Sequence, residues 1–305
     1  MKYLNLIRFN NLLMIIVMQC VIRYAIAQID DIDITLSNLG LLFLILATVL
    51  IAAGGYIIND SYDVVADKIN KPKKRTVGVS IDEKQAKLIY FGLTFTGLGL
   101  GFILTSLMGH PIYFIYFLLS AGFLYLYARF IKKYALLGNL LVSILVALSV
   151  ILVPLFELIP AIDTSNNEEQ LGAFTVFTSV AIFAFTITLI RELVKDIEDI
   201  QGDHVAGYKT LPILLGAQRT ARISVILTLI IITFISWYTF TFLYDYKIAV
   251  ATVFFAIIAP LGYCCSKLWE ATKKSELSHI SLILKVIMFV GICIIPLLIH
   301  AIYYA

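Results

Sequence analysis

Two stretches of this chain gather carboxylates and amides where the surrounding sequence is apolar. The first, Asn59 to Arg75, reads NDSYDVVADKINKPKKR. At about 100° per residue on a helix, Asn59, Asp63 and Asp67 fall at about 0°, 40° and 80°, with Asp60 near 100°. One arc of a helix would then carry an amide and three acids. Like charges so close repel strongly in a low-dielectric setting unless a cation sits among them. Oxygen-only donors suit a hard cation such as Mg²⁺, which takes one or two carboxylates together with substrate phosphates. Lys71, Lys73, Lys74 and Arg75 follow at once and suit phosphate oxygens. A solvated loop also carries such charges, so this stretch alone leaves both readings open.

The second stretch, Arg191 to Gly216, reads RELVKDIEDIQGDHVAGYKTLPILLG. Glu192, Asp196, Asp199 and Asp203 fall within about 60° of helical arc, with Gly202 a candidate helix end. Each acidic cluster ends an apolar run, and each is followed by cations and a Gly or Pro break. Two facing clusters would hold Mg²⁺ ions that bridge a diphosphate and clamp it electrostatically as a leaving group. The expected metal and metal-water ligands are Asn59, Asp60, Asp63, Asp67, Asp196, Asp199 and Asp203. Asp63, Asp67, Asp199 and Asp203 carry the catalytic expectation, and Lys132, Lys74, Arg75 and Lys195 are the candidate diphosphate contacts.

The elements that must position these groups are membrane helices. With 61% hydrophobic and 14% charged residues and a mean hydropathy of +0.95, the composition is that of an integral membrane protein. The net charge of +3 is too small to argue for nucleic acid. Nine apolar stretches approach the length a bilayer needs: 10–27, 38–58, 85–108, 111–131, 137–158, 172–195, 217–243, 247–268 and 281–304. The first contains Asn10, Asn11, Gln19 and Arg23 and is expected to pack inside the bundle. Of the 23 Lys and Arg, all but Arg23 and Lys247 fall on the side that carries the N-terminus, counting helix ends with their loops. The positive-inside rule makes that side cytoplasmic, in an inner or plasma membrane, with the C-terminus opposite. Both acidic stretches lie there, so one site made from both is topologically allowed.

The chain is expected to be one domain over 1–305, with a weak parallel repeat of helices 1–4 (1–132) and 5–9 (133–305). Gly97, Gly99 and Gly101, with Gly92, are expected to allow close helix contacts. The four cysteines lie in apolar segments without metal spacing and are expected to be buried and inert.

The pair Asn59-Asp60, Asp63, Asp67 and Asp196, Asp199, Gly202-Asp203 resembles the NDxxDxxxD and DxxDxxGD signature of the UbiA superfamily of intramembrane prenyltransferases. Asn70-Lys71-Pro72, Thr210-Leu211-Pro212 before Gly216, YARFIKK at Tyr127 to Lys133 and Gly138-Asn139 are similar to that family too. Arg8-Phe9-Asn10-Asn11 is similar to its Arg-Pro-x-Asn opening, with Phe9 in place of proline. Many relatives have Arg-Pro after the first motif's proline, where this chain has Lys74-Arg75. The resemblance implies nine helices around a central cavity, capped from the cytoplasm by the two motif-bearing loops. It implies Mg²⁺-dependent transfer from a polyprenyl diphosphate, with Tyr127, Arg8 and Asn11 joining the diphosphate contacts. The motif strings are most similar to the branch that adds geranylgeranyl diphosphate to a lipid acceptor, geranylgeranylglyceryl phosphate. An aromatic acceptor of the 4-hydroxybenzoate, dihydroxynaphthoate or homogentisate type is the alternative. Intramembrane acids also mark ion pathways, so a transporter is the alternative of another class.

Overall fold

A computed structural model describes residues 2–72, 75–271 and 273–304 of the chain. Lys73 and Lys74 lie outside the described residues, so the Lys74 contact has no structural counterpart. Among the described residues, nine helices are long and apolar enough to cross a membrane. They are α1 Phe9–Ile26, α2 Asn38–Tyr62, α3 Glu83–Leu107, α4 Pro111–Arg129, α5 Leu137–Ala161, α6 Asn167–Glu198, α7 Ala217–Phe242, α8 Lys247–Glu270 and α9 Lys274–Cys293. The chain is an all-α integral membrane protein.

The ninth span departs from the hydropathy reading. Glu276 accepts a hydrogen bond from the Lys273 N–H at 3.0 Å and so sets the start of α9 at Lys274. The helix stops at Cys293, and a separate helix, Ile295–Tyr304, follows with Pro296 in its first turn. Proline has no N–H to continue the ladder, but it fits a helix start. Lys285 is therefore eleven residues into α9 (285 − 274 = 11) and not at a helix end.

The chain forms two compact units. One comprises the N-terminus to Val17, Thr35–Leu141 and Gln201–Thr210. In it α2 packs along α3 and α4, over a core that includes Ile57, Ile58, Ala86, Tyr90 and Ala128. Ser37 and Asp82 cap α2 and α3 by accepting from the N–H groups of Gly40 and Lys84. Of the four glycines expected at helix contacts, two serve. A Cβ at Gly97 would meet Ile51 at 2.9 Å and one at Gly101 would meet Phe117 at 2.7 Å, whereas Gly92 and Gly99 face open space. Alternate positions on a helix point to different faces, and positions four apart share one.

The other unit comprises Met18–Ile34, Val142–Ile200 and Leu211–Ala305. Here α6 packs on α7 and α9, and α7 on α8, around Ile187, Ile190, Val194, Leu261 and Leu284. Only part of α1 is buried. Gln19 is inside and donates to the Ser149 carbonyl at 3.2 Å, while Asn10 is exposed. Arg23 Nε meets Glu157 Oε1 at 2.6 Å, and Glu157 is fully buried. The cysteines divide: Cys264 is buried, but Cys20 and Cys293 are exposed, because a helix face turned to lipid needs no protein cover.

Candidate active site

The first motif is built at a break in the backbone. Helix α2 ends at Tyr62, Asp63 takes φ −92° and ψ 7°, and a short helix, Val64–Asn70, begins beyond it. The single helical arc expected over 59–67 is thus split at Asp63, whose conformation lies in the sparsely allowed bridge region. The break frees the Asp63 carboxylate to collect donors from three segments. Asn59 Nδ2 donates to Oδ2 at 2.8 Å, and Lys132 Nζ and the Tyr208 hydroxyl donate to Oδ1 at 2.6 and 3.0 Å. Lys132 also reaches Asn59 Oδ1 at 3.2 Å, and its side chain is 6% exposed.

The neighbouring acids have cations of their own. Arg8 Nη2 meets Asp60 Oδ1 at 2.6 Å and lies over the Tyr56 ring, with its centre 5.0 Å away. Lys71 lies 3.5 Å from Asp67. Arg8 and Lys132, both expected on a diphosphate, are paired here with motif carboxylates. The mutual repulsion expected of this cluster is answered by cations from the same unit. Burial drives the Lys132 ammonium below the usual lysine range, although Asp63 pulls it back up. Burial raises the Asp67 carboxyl, aided by Asp63 and Asp60 and opposed by Lys71. Burial also raises the Tyr208 phenol, with Asp63 next in effect, so it stays a hydrogen-bond donor.

Residues 201–210 dock on this motif. The Gly202 N–H donates to Asn70 Oδ1 at 3.0 Å, and the Lys209 N–H donates to the Lys133 carbonyl at 2.8 Å. A Cβ at Gly202 would lie 2.4 Å from Asn70 Cγ and 2.6 Å from the Ala66 carbonyl oxygen, so only glycine fits. This segment carries Asp203. Gly202 does not end a helix; it lies within a short one, Ile200–Val205. Tyr127 flanks the Lys132 turn. A Cβ at Gly138 would lie 3.0 Å from Lys132 Cα and 3.3 Å from the Tyr127 ring. Asn11 donates its N–H to the carbonyl of Arg8, whose φ of +52° is left-handed. Arg75 is half-buried.

In the other unit, α6 ends one residue before Asp199, which repeats the break at φ −100° and ψ 6°. Lys274 lies 3.7 Å from the Asp199 carboxylate. Lys195, expected on a diphosphate, donates to Glu192 at 2.9 Å, and Arg191 donates to the same oxygen at 3.1 Å. Asp196 is half-buried. Among the described residues, no three acids, histidines or cysteines converge on one point to hold a metal ion. The donors of both motifs are nonetheless all oxygens, the set a hard divalent cation takes. Sequence reading missed Tyr208. It lies five residues past Asp203 beyond the turn at Gly207, and no periodicity leads to it.

The model of the UbiA prenyltransferase family matches residues 14–298. The chain belongs to this family. Digeranylgeranylglyceryl phosphate synthase of Sulfurisphaera tokodaii is 36% identical over 204 residues, 66% of each chain. The matched part thus spans just under two thirds of that relative's length. A solved structure concerning digeranylgeranylglyceryl phosphate synthase in membranes has a TM-score of 0.63 at 23% identity, covering 97% of this chain and 96% of the other. A UbiA homologue from Archaeoglobus fulgidus, bound to GPP and Mg²⁺, has a TM-score of 0.56 at 17% identity, covering 97% and 99%. The family expected from the motifs is the family found, and the fold agrees over nearly the whole chain.

Proposed function

We propose that this protein transfers a polyprenyl group from a prenyl diphosphate to a lipid acceptor, releasing diphosphate. Geranylgeranyl diphosphate and geranylgeranylglyceryl phosphate are the preferred pair. The observation that carries the reading is the Asp63 carboxylate, held by Asn59, Lys132 and Tyr208 beside a docked Gly202-Asp203 segment. The names of relatives at about this identity support the acceptor.

Breaking an allylic C–O bond places negative charge on the leaving diphosphate. Mg²⁺, when bound, supplies a counter-charge to those oxygens. Asn59, Asp60, Asp63, Asp67, Asp196, Asp199 and Asp203 are the residues proposed to hold it. Lys132, 2.6 Å from Asp63, is the first donor for a diphosphate oxygen, with Arg8, Lys195, Arg75, Tyr127 and Asn11 as further contacts. Tyr208 keeps Asp63 oriented by donating to it. The charge distribution supports an N-terminus and motif loops in the cytoplasm.

Mass spectrometry of the products of purified protein with Mg²⁺, geranylgeranyl diphosphate and a panel of acceptors tests this. The expected product is digeranylgeranylglyceryl phosphate, with one diphosphate released per transfer. Faster transfer to 4-hydroxybenzoate or 1,4-dihydroxy-2-naphthoate would overturn the acceptor, and absence of diphosphate release would overturn the reaction.

A further inference from the structure

Three helices of the first unit bring polar side chains together at the end that carries the first motif. Helix α2 closes on Tyr62, α4 closes on Arg129 one turn beyond Tyr125, and Lys87 lies in the second turn of α3. Tyr62, Lys87 and Arg129 are all exposed, on the face that a bilayer would cover. Arg129 Nη1 donates to the Tyr125 hydroxyl at 2.8 Å. The Tyr62 hydroxyl is hydrogen-bonded to the same oxygen, and Lys87 is near enough for its charge to act on it. The Arg129 guanidinium also lies over the Phe130 ring, 4.9 Å from its centre.

This cluster is rich in donors and poor in acceptors. Arginine and lysine only donate, and two phenols that share one hydrogen bond keep one hydrogen over. Arg8, Lys71 and Lys132 each hold a motif carboxylate. Among the described residues Arg129 and Lys87 hold none, and the groups that act on Arg129 are the two tyrosines. The acids nearest in sequence are accounted for. Asp63, beside Tyr62, is held by Asn59, Lys132 and Tyr208. Asp82 caps α3 by accepting from the Lys84 N–H. Glu83, one turn before Lys87, is exposed and makes no ion pair with it among the described residues. The complement of such a cluster is an oxyanion, and a forked guanidinium beside an ammonium suits a phosphate. An apolar strip leads away from the donors. Tyr90 stacks on Tyr125 with ring centres 6.5 Å apart, Phe91 follows at 5.0 Å from Tyr90, and Phe95 at 6.1 Å from Phe91. Phe91 and Phe95 are exposed and lie about 6 and 12 Å further along α3 than Lys87. Phosphate donors at the membrane edge with an apolar strip running inward match the two parts of a phospholipid.

We propose that Arg129, Lys87, Tyr125 and Tyr62 bind the phosphate of an anionic phospholipid of the surrounding bilayer, with its hydrocarbon chain along Phe91 and Phe95. None of these residues is assigned to a metal ion or a substrate. The inference therefore goes beyond the prenyltransferase reading, and binding can be measured without turnover.

The test is native mass spectrometry of the purified protein in detergent, titrated with dioleoylphosphatidylglycerol. Wild type is expected to bind this lipid more tightly than dioleoylphosphatidylcholine, whose choline cancels the phosphate charge. Arg129→Gln and Lys87→Gln are each expected to weaken phosphatidylglycerol binding about fivefold, the usual worth of one cation at an anionic headgroup, and the double variant about 25-fold. Arg219→Gln, which removes an exposed cation from the other unit, should stay within about twofold. Equal weakening by Arg219→Gln would reduce the effect to overall charge and overturn the site, as would unchanged binding in the double variant. Lys87→Gln breaks no bond within the protein and reports even where Arg129→Gln disturbs Tyr125. Glycerol 3-phosphate, the same anion without chains, should not displace the lipid at equal concentration; displacement would assign the site to a soluble phosphate and overturn the lipid. KM for geranylgeranylglyceryl phosphate should stay within about twofold in every variant, and a fivefold rise would place the acceptor here instead. Failure of prenyl transfer leaves the binding result standing, so the two readings fail separately.

Discussion

Gly202→Ala adds one methyl group where the structure has no room. The new Cβ would lie 2.6 Å from the Ala66 carbonyl oxygen and 2.4 Å from Asn70 Cγ, against ordinary contacts of 3.4 Å or more. The Asn70 amide can turn away, but only by giving up its 3.0 Å bond from the Gly202 N–H. The Ala66 carbonyl belongs to the Val64–Asn70 helix and moves only with it. Overpacking of this kind costs about 1–3 kcal/mol, and the lost hydrogen bond about 1 more. The expected destabilisation is therefore about 2–4 kcal/mol, or a drop of about 4–8 °C in Tm for a chain this long. Turnover falls further than stability, because residues 201–210 carry Tyr208 and its bond to Asp63. The assay is thermal unfolding in detergent micelles alongside prenyl transfer well below the variant's Tm. Gly202→Ala/Asn70→Ala removes one of the two clashes and is expected to recover stability in part, but not activity. A Gly202→Ala protein with wild-type Tm and turnover would refute the docking of this segment as the feature that completes the site.

Asp63→Ala is expected to abolish most turnover and to lower stability, because it strands a nearly buried Lys132; about 3–5 kcal/mol is the upper bound for a fully buried pair. Asp199→Ala is expected to abolish turnover at little cost in stability, since its 3.7 Å partner Lys274 is half-exposed; equal Tm losses for the two would refute the contrast. Asp67→Asn tests the raised carboxyl. A folded pKa above the unfolded one stabilises the protonated form at low pH, and that stability is lost as pH rises through the folded pKa. The variant should thus match wild type in Tm at low pH and exceed it near neutrality, and a pH-independent difference would count against the burial. For topology, cysteines placed at His204 and Thr164, both exposed, should label from the cytoplasm and from the opposite side, respectively. Labelling of both from one side would sink the orientation drawn from the charges.

Much of the fold was legible because membrane helices announce themselves by length and apolarity. Eight spans came out to within a few residues, and α9 was misplaced because its polar start, Lys274 to His279, reads as loop. Lys274 and Glu276 read as the end of a polar loop, but they form the first turn of a helix whose start Glu276 fixes. The motif residues were legible as types and spacing, but their pairing was not. Angular bookkeeping on an ideal helix put Asn59, Asp60, Asp63 and Asp67 on one arc; the break at Asp63 interrupts the helix there, although Asn59 still donates to Asp63 across one turn. The cations that neutralise the cluster come from Arg8 and Lys132, 52 and 69 residues from their partners. No local period encodes such a distance, and Tyr208, 145 residues from Asp63, is further still.

The buried pair of Arg23 and Glu157 has a consequence for how the chain enters its membrane. Arg23 leaves the ribosome with the first helix, long before the fifth exists. On insertion scales an arginine at the centre of a helix costs about 2.5–3.5 kcal/mol, and less near an end, where its long stem reaches the interface. The first helix therefore enters with a charge that its own sequence leaves unanswered. Its resting place is settled only after some 130 further residues (157 − 23 = 134) have been threaded and Glu157 arrives. During that interval Arg23 must stay near headgroups or in the shelter of the insertion machinery. A chain truncated before Glu157 should accordingly hold its first helix loosely, and one extended past it should hold it fast.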